Sequence, residues 1–324
     1  MPKARSRTAG GSTRGDAVGE EMSDAKPRLG FVGLGNMGGP MANNLVKGGY
    51  SVSGFDLNRP LLLKRAQEIG IHAADSAADA AKRSDYVITM LPNGQNVREA
   101  VLGKGGIAEG LGKGAIVIDM SSAGATGTAA LGKELAAKGI TLIDAPVSGG
   151  VTGAEAGTLA IMVGGDDNAA IDKIWPVLEA MGKKLFRAGK LGSGHAAKSI
   201  NNYLGATNLI AIAEGLIAGT KFGLDPANLL AIINASTGNS GTSQGLYPGQ
   251  VLNRKFGAGF ALALMAKDVG LAADLAKDVG MNAEVMAHTA KVWAKARETL
   301  KGNPDFTEIV KMFEAENGVE LVKK

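Results

Sequence analysis

The sequence predicts an α/β protein in which a doubly wound, mainly parallel sheet is followed by an all-helical domain, joined to it by a long helix. Three observations lead to this prediction. From residue 28 to about 186, short apolar strand-like segments alternate with helix-like segments, the order that gives a parallel sheet with helices on both faces. A glycine-rich turn follows the first of these strands, and strand patterns nearly vanish after residue 189. We therefore expect two domains, at 28–190 and 191–324.

The elements follow in order from the apolar patterns. Strand patterns cover residues 29–32, 51–55, 86–90, 115–118 and 141–143, with further strands expected at 159–163 and 184–186. Helical patterns between them include 60–69, 96–101 and 126–137. The second part opens with a long helix at 196–222, followed by helices at 226–233, 262–279, 282–301 and 306–316.

Composition excludes several classes of function. The 324-residue chain has no apolar run of the roughly 18 residues that a membrane helix needs. It has no cysteine, which excludes disulfides and thiolate chemistry and suits a reducing compartment, so we expect a cytoplasmic protein. Three histidines stand at 72, 195 and 288 without metal-ligand spacing, so no metal site is predicted.

The N-terminal tail, residues 1–27, is predicted to be a disordered extension because it carries almost no large apolar groups. Its early basic residues supply part of the net charge of +4, and such tail-borne charge is weak support for nucleic-acid binding. We predict neither a nucleic-acid nor a membrane partner. Met22 stands six residues before the first strand, and we expect it to be the natural start.

Residues 33–38 form the pattern G-x-G-x-x-G between the first strand and a helix. Gly33 permits a tight turn, Gly35 lets the backbone approach a pyrophosphate, and Gly38 lets helix and strand pack closely. The helix N-terminus then offers free N–H groups to the anion. The intervening Leu34, Asn36 and Met37 complete the predicted dinucleotide loop.

Asp56 ends the second predicted strand, 18 residues beyond Gly38. A carboxylate there accepts hydrogen bonds from both ribose hydroxyls and repels a 2′-phosphate, which favours NAD over NADP. The nearby Arg59 softens this preference, so NADP stays open. Alternatively, Asp56 caps the helix that begins near Pro60.

Three further loops follow predicted strands. Residues 91–93 and 121–122 lie at carboxyl ends of strands, where ligands bind in such sheets. Residues 144–159 carry Ser148 and paired glycines whose N–H groups can hold a carboxylate, although a flexible connection has the same composition.

The segment at 189–202 opens the long helix and places Lys198 and Asn202 four residues apart, on one face. A lysine near a helix N-terminus and among apolar neighbours can have the depressed pKa that proton transfer near neutral pH requires. A surface lysine is the alternative, and His195 is a competing proton donor.

Four of these stretches together resemble the β-hydroxyacid dehydrogenases, the group containing 3-hydroxyisobutyrate dehydrogenase and tartronate semialdehyde reductase. They are FVGLGNMGGPMANNL, DAPVSGGVTGAEAGTL, GKLGSGHAAKSINN and MAKDVGLA, in family order. Many relatives have threonine, followed two residues on by proline, where this chain has Ser122-Ala123-Gly124. The 6-phosphogluconate dehydrogenases share parts of the pattern, but their histidine stands where this chain has Asn201.

The resemblance implies a Rossmann domain followed by a helical domain, often in a homodimer or homotetramer. It implies a catalytic role for Lys198 and substrate binding by Asn202 together with Ser122, Ser148, Gly149 and Gly150. It places Leu91, Pro92, Asn96, Ser122 and Lys267 against the dinucleotide.

The sequence therefore predicts hydride transfer between NAD, or NADP, and a short β-hydroxy acid or semialdehyde, with Lys198 as acid and base. Polar residues at 239–244 hint at a hydroxylated acid, although a helix-capping loop explains them equally well. Tartronate semialdehyde, threonate-like acids, sulfolactaldehyde and 3-hydroxyisobutyrate all stay open. The alternative function is a non-catalytic binding or scaffold protein that retains the fold.

Overall fold

The computed structural model describes residues 26–323, so the predictions about the tail up to residue 25, including Met22 as the start, lie outside the described residues. The strands are β1 (Leu29–Val32), β2 (Val52–Phe55), β3 (His72–Ala73), β4 (Tyr86–Thr89), β5 (Ile116–Asp119), β6 (Thr141–Asp144), β7 (Val147–Ser148), β8 (Leu159–Gly164) and β9 (Gly182–Gly189).

Eight helices accompany these strands within residues 26–192, namely α1 (Gly38–Lys47), α2 (Arg59–Ile69), α3 (Ala77–Lys82), α4 (Gly94–Leu102), α5 (Ile107–Gly110), α6 (Ala125–Ala136), α7 (Gly150–Ala156) and α8 (Asn168–Glu179). The later part contains α9 (Ser193–Phe222), α10 (Pro226–Asn234), a π-helix (Thr242–Val251), α11 (Leu262–Asp278), α12 (Glu284–Thr299), a 3₁₀ turn (Phe306–Glu308) and α13 (Ile309–Asn317).

The sheet runs in the order β3-β2-β1-β4-β5-β6, with every neighbouring pair parallel. At one end β8 lies antiparallel to β6 and β7 and parallel to β9. The chain order reverses between β1 and β4, so the carboxyl ends of these two strands flank the crevice where ligands bind in such sheets. The predicted doubly wound, mainly parallel sheet is confirmed.

Strand residues alternate between the two faces of the sheet because side chains on a strand have a period of two. Ile88 and Ile118 pack with the helices α1, α2 and α8. Val87 and Val117, their neighbours along the strands, pack with α3, α4, α5 and α6 on the opposite face. Helices therefore cover both faces, as the near-continuous apolar strands predict.

A separate core holds the helical part together. Leu209, Ala213 and Leu216 of α9 lie in it, with the fully buried Tyr247 of the π-helix and Trp293 of α12. The long helix thus forms the centre of the helical part, while its first turns contact the sheet. No helix in the described part of the chain combines the length and apolarity that crossing a bilayer requires.

Candidate active site

The glycine-rich turn after β1 has the geometry that a dinucleotide needs. Gly33 has a φ of 97°, and a side chain there would collide with the carbonyl oxygen of Met90. A side chain on Gly38 would collide with the carbonyl oxygen of Gly33, whereas at Gly35 no atom lies within 4 Å of the Cβ position. Two glycines are therefore required by the fold itself, and Gly35 borders open space that a ligand can enter.

The first turn of α1 fits a bound pyrophosphate. It carries no acidic side chain, and Met37 at the N-cap supplies no side-chain hydrogen bond to the free N–H groups. Those N–H groups and the helix dipole favour an anion. Asn36 is exposed beside them, whereas Leu34 is buried in the sheet core.

Asp56 lies half-buried beside this turn. Its Oδ2 accepts a hydrogen bond from the Leu34 N–H at 2.8 Å, and its Oδ1 accepts one from the Asn58 N–H at 2.8 Å. The cap of α2 is Asn58, whose side chain accepts from the Leu61 N–H at 3.1 Å. Asp56 therefore does not cap α2, and its carboxylate stands between the glycine turn and the end of β2.

Arg59 points away from that carboxylate. Its guanidinium donates to the Ala74 carbonyl at 2.8 Å and pairs with Asp75 at 3.1 Å. Both partners lie just after β3, so the arginine is held against the sheet edge by contacts of its own.

The loops after β4 and β5 are tied together by hydrogen bonds. The Leu91 N–H donates to Ser121 Oγ at 2.9 Å. Lys267 of α11 reaches across from the helical part, and its Nζ donates to the carbonyls of Pro92 at 3.0 Å and Ser122 at 2.7 Å. Asn96 lies half-buried in the first turn of α4, where its backbone N–H donates to Asn93 Oδ1 at 2.9 Å. The structure thus brings four of the five residues that the resemblance placed near the dinucleotide into one connected group.

Lys198 lies in the second turn of α9, half-buried, beside a polar group contributed by α11. The Asn202 Nδ2 donates to Asp268 Oδ2 at 2.6 Å, and Lys267 Nζ lies 3.0 Å from Asp268 Oδ1. Burial lowers the pKa of Lys198, the negative charge of Asp268 opposes this, and the positive charge of Lys267 adds to it. The alternative of an ordinary surface lysine does not describe this side chain.

Two glycines and one carboxylate position the first turn of α9. Gly192 has a φ of 91°, and a side chain on Gly194 would collide with the Met162 carbonyl oxygen. Asp144, at the end of β6, accepts hydrogen bonds from the N–H groups of Gly192 at 2.7 Å and His195 at 2.8 Å. The helix therefore begins directly against the carboxyl edge of the sheet, which places Lys198 beside the ligand crevice.

The loop of Ser148, Gly149 and Gly150 joins β7 to α7. Gly149 and Gly150 have φ values of 138° and 62°, a conformation that side chains disfavour. No hydrogen bond within residues 26–323 connects this loop to the group around Lys198. The structure thus forms a glycine turn here that is not hydrogen-bonded to the group around Lys198.

Asp268 is a further candidate site residue, one that no sequence motif indicated. It is almost fully buried, and Asn202 and Lys267 contact it from two helices. An acidic residue on the buried face of an otherwise apolar helix was the available signal. His195, the competing proton donor, is buried with both ring nitrogens in contact with protein atoms.

Comparisons with known proteins identify the family of the chain. Residues 28–189 match a family model described as the NAD binding domain of 6-phosphogluconate dehydrogenase. Residues 192–313 match one described as the NAD-binding of NADP-dependent 3-hydroxyisobutyrate dehydrogenase. The chain is 37% identical to 2-(hydroxymethyl)glutarate dehydrogenase of Eubacterium barkeri, over 91% of this chain and 97% of the relative.

Two 3-hydroxyisobutyrate dehydrogenases are also similar. The enzyme of Pseudomonas aeruginosa is 41% identical over 75% of this chain and 83% of the relative. A structure of the Mycobacterium tuberculosis enzyme with L-serine superposes with a TM-score of 0.82 and 36% identity, covering 89% of this chain and 99% of that one.

The chain belongs to the β-hydroxyacid dehydrogenase family. It is an oxidoreductase that uses NAD(P), and more narrowly a hydroxyacid dehydrogenase of the 3-hydroxyisobutyrate dehydrogenase type. The predicted family, fold, class of enzyme and cofactor are thereby confirmed.

Proposed function

We propose that this dehydrogenase transfers a hydride reversibly between NAD and a short β-hydroxy acid or its semialdehyde, with Lys198 as general acid and base. The observation that carries the proposal is the position of Lys198, half-buried against the ligand crevice with a lowered pKa and a buried Asn202–Asp268 pair beside it. The test is NAD reduction by small β-hydroxy acids, with Lys198→Ala assayed in parallel.

The proton chemistry belongs to Lys198. When bound, NAD supplies the hydride-accepting carbon of its nicotinamide ring. In oxidation the neutral amine of Lys198 accepts the hydroxyl proton of the substrate, and in reduction its ammonium form donates a proton to the developing alkoxide. A lowered pKa keeps both forms of the amine accessible near neutral pH.

Asn202 and the loop residues orient the substrate in this proposal. One N–H of the Asn202 amide is held by Asp268, and we assign the second to the reacting oxygen. Ser122, Ser148, Gly149 and Gly150 hold the carboxylate, because hydroxyl groups and backbone N–H groups at a glycine turn bind anions. Fixing both ends of a small acid aligns its carbon for hydride transfer.

The pH dependence should run in opposite senses for the two directions. Oxidation needs neutral Lys198, so kcat/KM for the hydroxy acid should rise as pH increases through the lysine pKa. Reduction needs the ammonium form, so kcat/KM for the semialdehyde should fall over the same range. Because burial lowers the pKa of Lys198, both transitions should lie below the ordinary lysine value, and initial rates across pH would measure them. A single transition at the ordinary value would contradict the assignment.

The relatives suggest the class of substrate. The acids named for the two kinds of relative, 3-hydroxyisobutyrate and 2-(hydroxymethyl)glutarate, both carry a hydroxymethyl group on the carbon next to a carboxylate. L-serine, named with the M. tuberculosis structure, has the same arrangement. We therefore propose a 3-hydroxypropanoate bearing one substituent at carbon 2, a class that also includes the reduced product of tartronate semialdehyde.

The polar stretch at 239–244 adds little to this choice. Ser240 and Ser243 exchange hydrogen bonds between their hydroxyls and backbone N–H groups, at 2.8 and 3.1 Å. Gln244 donates to the Asn239 side chain at 3.4 Å. These contacts favour the helix-capping explanation, because they use the same polar groups that a hydroxylated substrate would need.

We propose NAD as the preferred cofactor because the Asp56 carboxylate stands beside the glycine turn while Arg59 pairs with Asp75. Asp56→Ala is expected to raise the KM for NAD about 10- to 100-fold, the loss expected for hydrogen bonds to a charged group, and to raise the ratio of NADP to NAD activity. Glu298→Ala, at an exposed carboxylate on α12, is the matched control. An unchanged cofactor ratio in Asp56→Ala would contradict this preference.

We propose a homodimer or homotetramer in which α9 lies at an interface. Its Ile200, Leu204 and Phe222 are 41%, 53% and 86% exposed and lie along one stripe with Ala211, Gly215 and Ala218, at spacings of three, four and seven residues. Leu204→Glu is expected to shift the protein toward the monomer in sedimentation equilibrium. A monomeric unmodified protein would contradict the proposal.

We assign residues 28–190 to cofactor binding and residues 191–324 to substrate binding and oligomerisation. Two separate cores and the family-model matches at 28–189 and 192–313 support this division.

A non-catalytic scaffold is the less favoured function. The structure buries Lys198 beside the hydrogen-bonded pair of Asn202 and Asp268, and a scaffold has no need of such a group.

A further inference from the structure

His195 is a buried side chain to which the proposed mechanism gives no role. It is 1% exposed and stands three residues before Lys198 in α9. Its Nε2 lies 3.0 Å from the Ser121 carbonyl oxygen, and its Nδ1 lies 2.8 Å from Thr128 Oγ1. Because a carbonyl oxygen only accepts hydrogen bonds, Nε2 must carry a proton and donate it to Ser121.

That hydrogen bond fixes the orientation of one peptide plane. The peptide bonds of residues 26–323 are trans, so the Ser121 carbonyl and the Ser122 N–H point in opposite directions from the same plane. With the carbonyl held by His195, the Ser122 N–H is directed away from the imidazole. No acceptor within the described chain receives that N–H. It is therefore available to an oxygen atom of a ligand.

The other atoms of Ser121 are also fixed. Its N–H donates to Asp119 Oδ1 at 3.0 Å, and its Oγ accepts from the Leu91 N–H. On the far side of the same loop, Lys267 holds the Ser122 carbonyl. The His195 ring is thus one of several groups that fix the conformation of the loop at residues 121–122. Its hydrogen bond to the Ser121 carbonyl is the one that orients the Ser122 N–H.

The same residue also holds the lysine helix. The His195 N–H donates to Asp144 Oδ2 at the end of β6, and the ring lies between two buried carboxylates, 3.7 Å from Asp119 Oδ2 and 3.8 Å from Asp144 Oδ2. Lys198 follows less than one helical turn later. His195 therefore connects the loop of Ser122, which follows β5, to the helix that carries Lys198.

We propose that His195 is a positioning residue for the reaction, orienting the Ser122 N–H toward a ligand oxygen and holding Lys198 at a fixed distance from it. This inference rests on the proposed function. It predicts that the ring acts through its hydrogen bonds to Ser121 and Thr128, so glutamine, whose side-chain amide can both donate and accept, should substitute for it.

The experiment compares His195→Leu with His195→Gln in the full chain, measuring kcat, KM for the hydroxy acid, the dissociation constant for NAD and the deuterium isotope effect on hydride transfer. His195→Leu should lower kcat/KM for the acid about 10- to 100-fold, as expected when reacting groups are misplaced. Its loss in kcat/KM for the acid should exceed its loss in NAD affinity, its isotope effect should increase, and His195→Gln should recover most of the activity. His288→Leu, at an exposed histidine on α12, is the matched control.

Thr128→Val provides a second variant if His195→Leu fails to fold. It keeps the imidazole and removes the hydroxyl that contacts Nδ1 and the Gly124 carbonyl oxygen, and it should show the same change on a smaller scale. Unchanged kcat/KM in either folded variant would overturn the inference, as would a glutamine variant as slow as the leucine variant. Absence of turnover in the unmodified enzyme would contradict the proposed function and this inference together, whereas full turnover in His195→Leu would contradict this inference alone.

Discussion

Replacing Lys198 with alanine should lower kcat about 10²- to 10⁴-fold, the contribution expected of a positioned general acid and base. Lys198 is half-buried in the second turn of α9, and alanine is compatible with a helix, so the fold should be retained. Dinucleotide affinity should also persist, because the glycine turn and Asp56 lie on different elements. Steady-state rates and the dissociation constant for NAD would measure the two effects separately.

Lys190→Ala is the matched control for this variant. Lys190 is exposed, lies just before α9, and uses its backbone carbonyl to accept from the Ser193 N–H, so losing its side chain should leave turnover unchanged. Turnover of Lys198→Ala within a few-fold of the unmodified enzyme would show that another group transfers the proton.

Gly35→Val should abolish dinucleotide binding and leave the fold intact. Nothing lies within 4 Å of the Cβ position of Gly35, and its φ is not positive, so valine occupies space that the protein itself does not use. A pyrophosphate approaching the backbone would meet the added methyl groups. We expect the NAD affinity to fall about 100-fold or more, measured by titration, with an unchanged Tm.

Gly38→Ala is the contrasting variant. Its added methyl group would collide with the Gly33 carbonyl oxygen, an overpacking that we expect to lower the free energy of unfolding by about 3 kcal/mol. Denaturant unfolding of both variants would separate a ligand-contact glycine from a packing glycine. A Gly35→Val protein that binds NAD normally would contradict the placement of the dinucleotide.

Much of the dinucleotide-binding domain could be predicted from the sequence, because its first strand, turn and helix are formed by residues that are adjacent in the chain. The strand, turn and helix at residues 29–47 carry their own apolar pattern and their own glycines, and β1 and α1 form there. The elements that were not predicted lack such a pattern. Helix α3 buries only alanines, α7 contains glycines, and Pro176 interrupts the pattern of α8.

The group around Lys198 depends on contacts between residues that are far apart in the chain. Asn202 and Asp268 are separated by 66 positions, and nothing around either residue indicates the other. Likewise, His195 is a candidate proton donor when the sequence is considered alone, but the fold encloses its side chain between β5, β6 and α6. Such roles follow from packing of helices against the sheet, which local patterns do not specify.

The most direct test of the proposed reaction is an initial-rate assay of NAD and NADP reduction with 3-hydroxypropanoates that differ in their substituent at carbon 2. Lactate, whose hydroxyl lies on carbon 2, serves as the comparison. We predict saturable NAD reduction with at least one 3-hydroxy acid, little with lactate, and loss of that activity in Lys198→Ala. Absence of turnover with every 3-hydroxy acid, or turnover that survives the loss of Lys198, would contradict the account.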